Sequence, residues 1–157
     1  MDHYWIEPQR LAVSRAPQQA DEIRLLHQDG IHAILTLSLQ PITAAPEITT
    51  ELLDKLDIQV LHVPIPDNSP PTQTQANDIL LFLEEMHRQD RPVLIHCEAG
   101  VSRTGTVLLL YYIAQGLTYE AARAQVLQRR PSNVIINDQQ AAFLRAYAQQ
   151  HDRETRE

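Results

Sequence analysis

The sequence predicts an α/β domain built on a central, mostly parallel sheet flanked by helices. Short apolar runs rich in β-branched residues alternate with stretches of helical periodicity through most of the chain. A length of 157 residues with 43% hydrophobic content suffices for one core and leaves too little chain for two. The run Pro92 to His96 is continuously apolar instead of alternating, the pattern of a strand buried on both faces.

Tyr4 to Ile6 and Leu11 to Val13 read as short strands separated by Pro8. Pro17 to Gln28 carries Ile23, Leu25 and Leu26 as a helix that Gly30 can terminate. Ile31 to Leu39 reads as a strand stopped by Pro41, Pro46 to Leu56 as a helix, and Ile58 to Val63 as another strand. Four prolines between Pro64 and Pro71 predict a stiff, irregular loop. Thr72 suits the N-cap of a helix over Gln73 to Gln89, whose Ile79, Leu80, Leu83 and Met86 fall near helical spacing. Thr104 to Gln115 is apolar on nearly every face, as in a helix surrounded by protein. Thr118 opens a helix to about Arg130, Pro131 breaks it, and Asn137 or Asp138 caps a last helix through Phe143, Leu144 and Tyr147. The polar stretch His151 to Glu157 is expected to fray, which divides the chain into a domain over 1–150 and a tail over 151–157.

The formal charge of −7 provides no excess of positive charge for a nucleic-acid backbone or an anionic bilayer, so neither is an expected partner. No apolar run approaches the roughly 20 residues of a membrane span, and the start Met-Asp-His-Tyr-Trp lacks the basic then apolar pattern of a signal peptide. A cytoplasmic, monomeric protein is expected. The single cysteine, Cys97, excludes an intrachain disulfide and a multi-cysteine metal site. His3, His27, His32, His62, His87 and His151 show no paired ligand spacing, so neither a metal nor another cofactor is expected.

Chemistry concentrates at His96-Cys97-Glu98-Ala99-Gly100-Val101-Ser102-Arg103-Thr104, where a predicted strand meets a predicted helix. Backbone N–H groups and the positive helix end converge on an anion at such a junction, and a phosphate fits that cradle. The same field favours a thiolate at Cys97. Five residues between Cys97 and Arg103 let the loop curl until the guanidinium faces the sulfur across a bound phosphate, with its planar fork of donors available for bidentate contacts. Gly100 frees one loop position for φ > 0 and close backbone approach.

These residues match the signature His-Cys-x5-Arg-Ser/Thr at His96, Cys97, Arg103 and Thr104, and the chain resembles the protein tyrosine phosphatase superfamily, in particular its small atypical dual-specificity members. The resemblance implies a single-domain cysteine-phosphatase fold without cofactor and the hydrolysis of phosphotyrosine, with phosphoserine and phosphothreonine as further candidates, in a phosphorylated protein or peptide. It implies Cys97 as nucleophile, Arg103 with the loop Glu98, Ala99, Gly100, Val101 and Ser102 as the phosphate-binding set, and Thr104 as a hydrogen-bond donor to the sulfur. In that family a general-acid aspartate lies in a proline-containing loop about thirty residues before the cysteine, and Asp67 occupies that place. Asp57, beside a predicted strand, is a weaker candidate. His96 is expected to order the loop, and Gln139 lies where some relatives place a water-positioning glutamine. Glu98 and the uncharged remainder of the loop disfavour highly phosphorylated lipids. A rhodanese-like sulfurtransferase and a non-catalytic phosphopeptide-binding module are the rival readings.

Overall fold

A computed structural model describes residues 1–156, in the order β1 (Tyr4–Glu7), β2 (Leu11–Ser14), α1 (Ala20–Gln28), β3 (Ala33–Thr36), α2 (Thr50–Lys55), β4 (Gln59–His62), α3 (Gln73–Arg88), β5 (Val93–His96), α4 (Ser102–Ala114), α5 (Tyr119–Arg129) and α6 (Asp138–Arg156). The sheet order is β1-β2-β5-β3-β4; β2, β5, β3 and β4 run parallel and β1 pairs antiparallel at one edge. The expected mostly parallel sheet is therefore present, with β5 at its centre.

Side-chain alternation along the strands sorts the core into two layers. Leu11 and Val13 of β2, Ala33 and Leu35 of β3, and Val93 and Ile95 of β5 join the cluster under α3, α4, α5 and α6. Ala12, Ile34 and Leu94 point the other way, into the cluster with Ile23 and Leu26 of α1 and Leu53 of α2. Every residue of β2, β3 and β5 is buried, because helices cover both faces. The sheet is thus one strand deep between two helical layers, and its three central strands end together where Ser14, Thr36 and His96 stand in register.

Element types follow the sequence closely, and the departures have local causes. The strand expected over Ile31 to Leu39 is ordered as β3 only from Ala33 to Thr36. Leu37 still bonds on both sides, its N–H donating to His96 C=O at 2.9 Å and its C=O accepting from Ile65 N–H at 3.0 Å, before the chain leaves the sheet. The helix expected from Pro46 starts at Thr50, since the Thr49 hydroxyl accepts from Leu52 N–H at 3.1 Å and sets the cap there. A 3-10 turn at Ile42–Ala44 precedes it and another, Pro131–Val134, follows α5; neither was expected. Over the stretch from His151, where fraying is expected, α6 continues to Arg156, with stacking of Tyr147 on His151 and a Gln150 to Glu154 side-chain hydrogen bond one turn apart. Glu157, the end of the expected tail, lies outside the described residues.

The Pro131–Val134 turn packs directly on α4. A Cβ on Gly105 would stand 2.0 Å from the Asn133 carbonyl oxygen, a backbone atom with no freedom to retreat. Gly105→Ala is accordingly expected to lower unfolding stability by about 2 kcal/mol or more, read from urea denaturation; an unchanged midpoint would remove this contact as a determinant of the fold.

Candidate active site

The parallel strands deliver their carboxyl ends, and the loops that follow them, to one edge of the sheet, the usual place for a site in α/β architecture. β5 leaves the centre of that edge at His96, and the chain passes through Cys97 to Val101 before α4 begins at Ser102. The loop is fastened from three sides. Ala16 N–H donates to Glu98 C=O at 3.0 Å, fixing the loop to the end of β2. The buried Asn133 side chain donates to Gly100 C=O and Val101 C=O, both at 2.9 Å, from the opposite side. Gly105 N–H to Val101 C=O, 2.7 Å, closes the first turn of α4. With those carbonyls engaged outward, the N–H groups of Glu98, Ala99, Gly100 and Val101 donate to no backbone carbonyl among the described residues, the condition for an anion cradle.

Gly100 adopts φ +77°, and a Cβ there would meet Ser14 C=O at 2.6 Å, so the predicted need for glycine has two causes, conformation and space. Cys97 is 3% exposed, and Thr104 Oγ1 donates to its Sγ at 3.1 Å from the first turn of α4. The expected Thr104 contact is thus present in the geometry.

A cleft of about 390 Å³ opens on this loop, with Cys97, Glu98, Ala99, Val101, Ser102 and Arg103 as its floor. Asp67 and Asn68 form one wall; Ile135, Ile136, Asn137 and Gln140, ahead of and within the first turn of α6, form the other. Arg103 is 4% exposed, donates from Nη1 to Ile65 C=O at 2.9 Å and places Nε 3.8 Å from Asp67 Oδ1. Nε itself is buried without a hydrogen-bond partner. Asp67, with a side chain 69% exposed, lies on the wall of the cleft as expected, whereas Asp57 pairs with Arg91 at 3.2 Å on the far end of the sheet.

Gln139 does not fit its expectation: it is exposed and outside the lining, and the neighbouring Gln140, fully buried, lines the cleft instead. Asn133, Asn137 and Gln140 were missed. The one available signal was the pattern Asn137-x-x-Gln140 before an apolar run, which resembles a capping box. Arg129 and Arg130 stay outside the cleft, the first donating to Ile6 C=O and the second lying over the Tyr4 ring. Among the described residues no group of three or more His, Cys, Asp or Glu side chains is disposed to hold a metal ion, and no helix is long and apolar enough to cross a membrane.

His96 orders the loop through both ring nitrogens. Nε2 lies 2.9 Å from Thr36 Oγ1 and Nδ1 lies 3.3 Å from Cys97 C=O. Burial pushes its pKa down to about 4, and the neighbouring His62 and Arg103 add to that effect against the opposing pull of the Cys97 carbonyl.

The geometry matches what comparison with known proteins finds. A family model, "Swiss Army Knife protein, DSP-PTPase phosphatase domain", matches residues 2–156. The chain is 35% identical over 92 residues to the dual specificity protein phosphatase Mpk3 of Drosophila melanogaster, covering 57% of this chain and 22% of that one. It is 31% identical over 64 residues to the dual specificity protein phosphatase OPG106 of vaccinia virus, covering 40% of this chain and 37% of that one. The aligned part thus spans well under half the length of these curated relatives. Among solved structures, a mutant form of Tk-PTP superposes with a TM-score of 0.78 at 30% identity, over 95% of this chain and 97% of that one. PTPMT1 superposes at 0.83 over 98% of both chains with 18% identity, a likeness of fold. The sulfurtransferase and the non-catalytic binding module find no support in these comparisons.

One pH dependence follows from His96. Its pKa is about 4 when folded against an ordinary 6.5, so between those values the unfolded chain takes up the proton first. The contribution to stability is complete above pH about 6.5 and lost as pH falls toward 4, by up to about 3 kcal/mol. Urea unfolding at pH 7.5 and pH 4.5 should show a smaller acid loss for His96→Asn than for the parent chain; equal losses would place the acid sensitivity elsewhere.

Proposed function

From a chain that belongs to the DSP-PTPase phosphatase domain family, we propose a metal-independent phosphatase acting on phosphotyrosine, and on phosphoserine or phosphothreonine, in a protein or peptide. The observation that carries this reading is that one cleft joins Cys97 and Arg103 on its floor to Asp67 on its wall.

The Cys97 thiolate attacks phosphorus in line, forming an S–P bond as the P–O bond to the leaving group breaks. The loop N–H groups and Arg103 hold the equatorial oxygens, where charge spreads in the transition state. Asp67 gives its proton to the departing oxygen, then as a carboxylate takes one from the water that hydrolyses the cysteinyl phosphate. Thr104 Oγ1, 3.1 Å from the sulfur, stabilises the thiolate as it leaves. His96 and Asn133 act at one remove, by fixing the loop that carries these groups. Of the glutamines, Gln140, on the wall of the cleft, replaces Gln139 as the residue near the water. Glu98 adds a carboxylate to the lining of the cleft and favours substrates that are not polyanionic. A cytoplasmic monomer is part of the same reading, since a lone catalytic thiol is best kept reduced in a reducing compartment.

Hydrolysis of an aryl phosphate in the presence of a chelator tests the reaction, with vanadate as inhibitor. Cys97→Ser is expected to fall to background, and Asp67→Asn to lose about 10²–10⁴-fold in kcat. Retained activity in Cys97→Ser, or a strict need for added metal, would refute the mechanism. A panel of phosphotyrosine, phosphoserine and phosphothreonine peptides then sets the substrate range.

A further inference from the structure

Asp67 sits on a loop whose prolines stiffen the backbone but do not by themselves aim a side chain 69% exposed. Its carboxylate accepts from the N–H of Asn68 at 3.0 Å, and Asn68 is in the left-handed region, φ +63°. The C=O of that same residue accepts from Asn137 Nδ2 at 2.6 Å. Asn137 therefore grips the residue whose N–H orients the Asp67 carboxylate.

The grip is braced. Asn137 Oδ1 accepts from Gln140 N–H at 2.9 Å, and Gln140 Oε1 accepts from Asn137 N–H at 3.0 Å, a reciprocal cap on α6. Gln140, fully buried, also reaches Ser69 C=O at 3.5 Å. One amide thus divides its work: its oxygen caps the helix and its nitrogen holds the loop. From the floor of the cleft Arg103 holds the same loop at Ile65.

We infer that Asn137 is a positioning residue for proton transfer: through Asn68 it holds the Asp67 carboxyl at the leaving-group side of the cleft. The inference rests on the proposed role of Asp67. Removing the grip leaves the cradle and the nucleophile in place and loosens only the acid. The loss then depends on the leaving group: a poor one such as phenoxide needs the proton, a good one such as 2,4-dinitrophenoxide does not.

Asn137→Ser separates the two tasks, because serine caps a helix about as well as asparagine yet has no amide nitrogen to donate to Asn68. The ratio of kcat/KM for 2,4-dinitrophenyl phosphate to that for phenyl phosphate is expected to rise about tenfold. Asn137→Asp, which keeps the cap and removes the donor, should raise it likewise. In the Asp67→Asn background neither substitution should change the ratio further. An unchanged ratio in both Asn137 variants, while Asp67→Asn raises it, overturns the grip and leaves the acid assignment standing. An unchanged ratio in Asp67→Asn overturns the acid assignment and the grip with it.

Discussion

Backbone lies against backbone at two places around the Cys97 loop, and the geometry of the cleft depends on those approaches. Gly100 brings the loop within reach of the Ser14 carbonyl, where a Cβ would stand at 2.6 Å, and Gly105 brings α4 onto the Asn133 carbonyl, where it would stand at 2.0 Å. Because the protein interior is close-packed and yields little, widening either gap would move a whole element. The first approach keeps the loop against β2; the second keeps the 3-10 turn close enough for Asn133 to hold Gly100 C=O and Val101 C=O. Loop carbonyls facing outward to these partners leave the loop N–H groups for an anion. The small residues at positions 100 and 105 thus act on chemistry they do not touch.

Arg103 then sets the electrostatic balance of the cleft. A guanidinium only 4% exposed needs compensation, and the chain supplies it sparingly: one hydrogen bond to Ile65 C=O, an Asp67 oxygen 3.8 Å away, and no partner for Nε. A buried cation so incompletely satisfied is the counterpart of a phosphate dianion, whose oxygens can accept from its remaining donors. The contact with Ile65 also couples Arg103 to the loop that carries Asp67, so the two groups do not choose their positions independently. Asp67, the acid of the proposed mechanism, lies near this cation, and its exposure moderates the interaction.

What the sequence made legible follows how each residue works. In the proposed mechanism Cys97, Arg103, Thr104 and Asp67 act through their own side chains at fixed spacing from a recognisable strand-to-helix junction, so residue type and spacing were enough to nominate them. Asn133, Asn137 and Gln140 act by bonding to carbonyls of Gly100, Asn68 and Ser69, 33 to 71 residues away in the chain, and a carbonyl has no signature in the sequence. The glutamine shows the limit most clearly. Either Asn137 or Asp138 could cap α6 on sequence grounds, and one residue of ambiguity turns a helix by about 100°, enough to exchange a buried side chain for an exposed one. The structure caps at Asn137, which sends Gln140 inward and Gln139 to solvent. The fold was legible at the level of element type and order. Where β5 sits in the sheet was not, because its neighbours β2 and β3 come from distant parts of the chain.

The histidine before the cysteine illustrates how burial selects one role from two. A cationic His96 would add positive charge behind the sulfur, yet its burial holds the pKa near 4 and keeps the ring neutral across the neutral range. A neutral ring has one donor and one acceptor, and two partners are in place: with Nδ1 protonated it donates to Cys97 C=O, and Nε2 accepts from the Thr36 hydroxyl. Thr36 belongs to β3, on one side of β5, so the turn out of the central strand is pinned to its neighbour at the point where the loop begins. Any positive field at Cys97 then comes from Arg103 and the loop N–H groups. A second buried cation would have to be desolvated; the neutral ring orders the loop without that penalty.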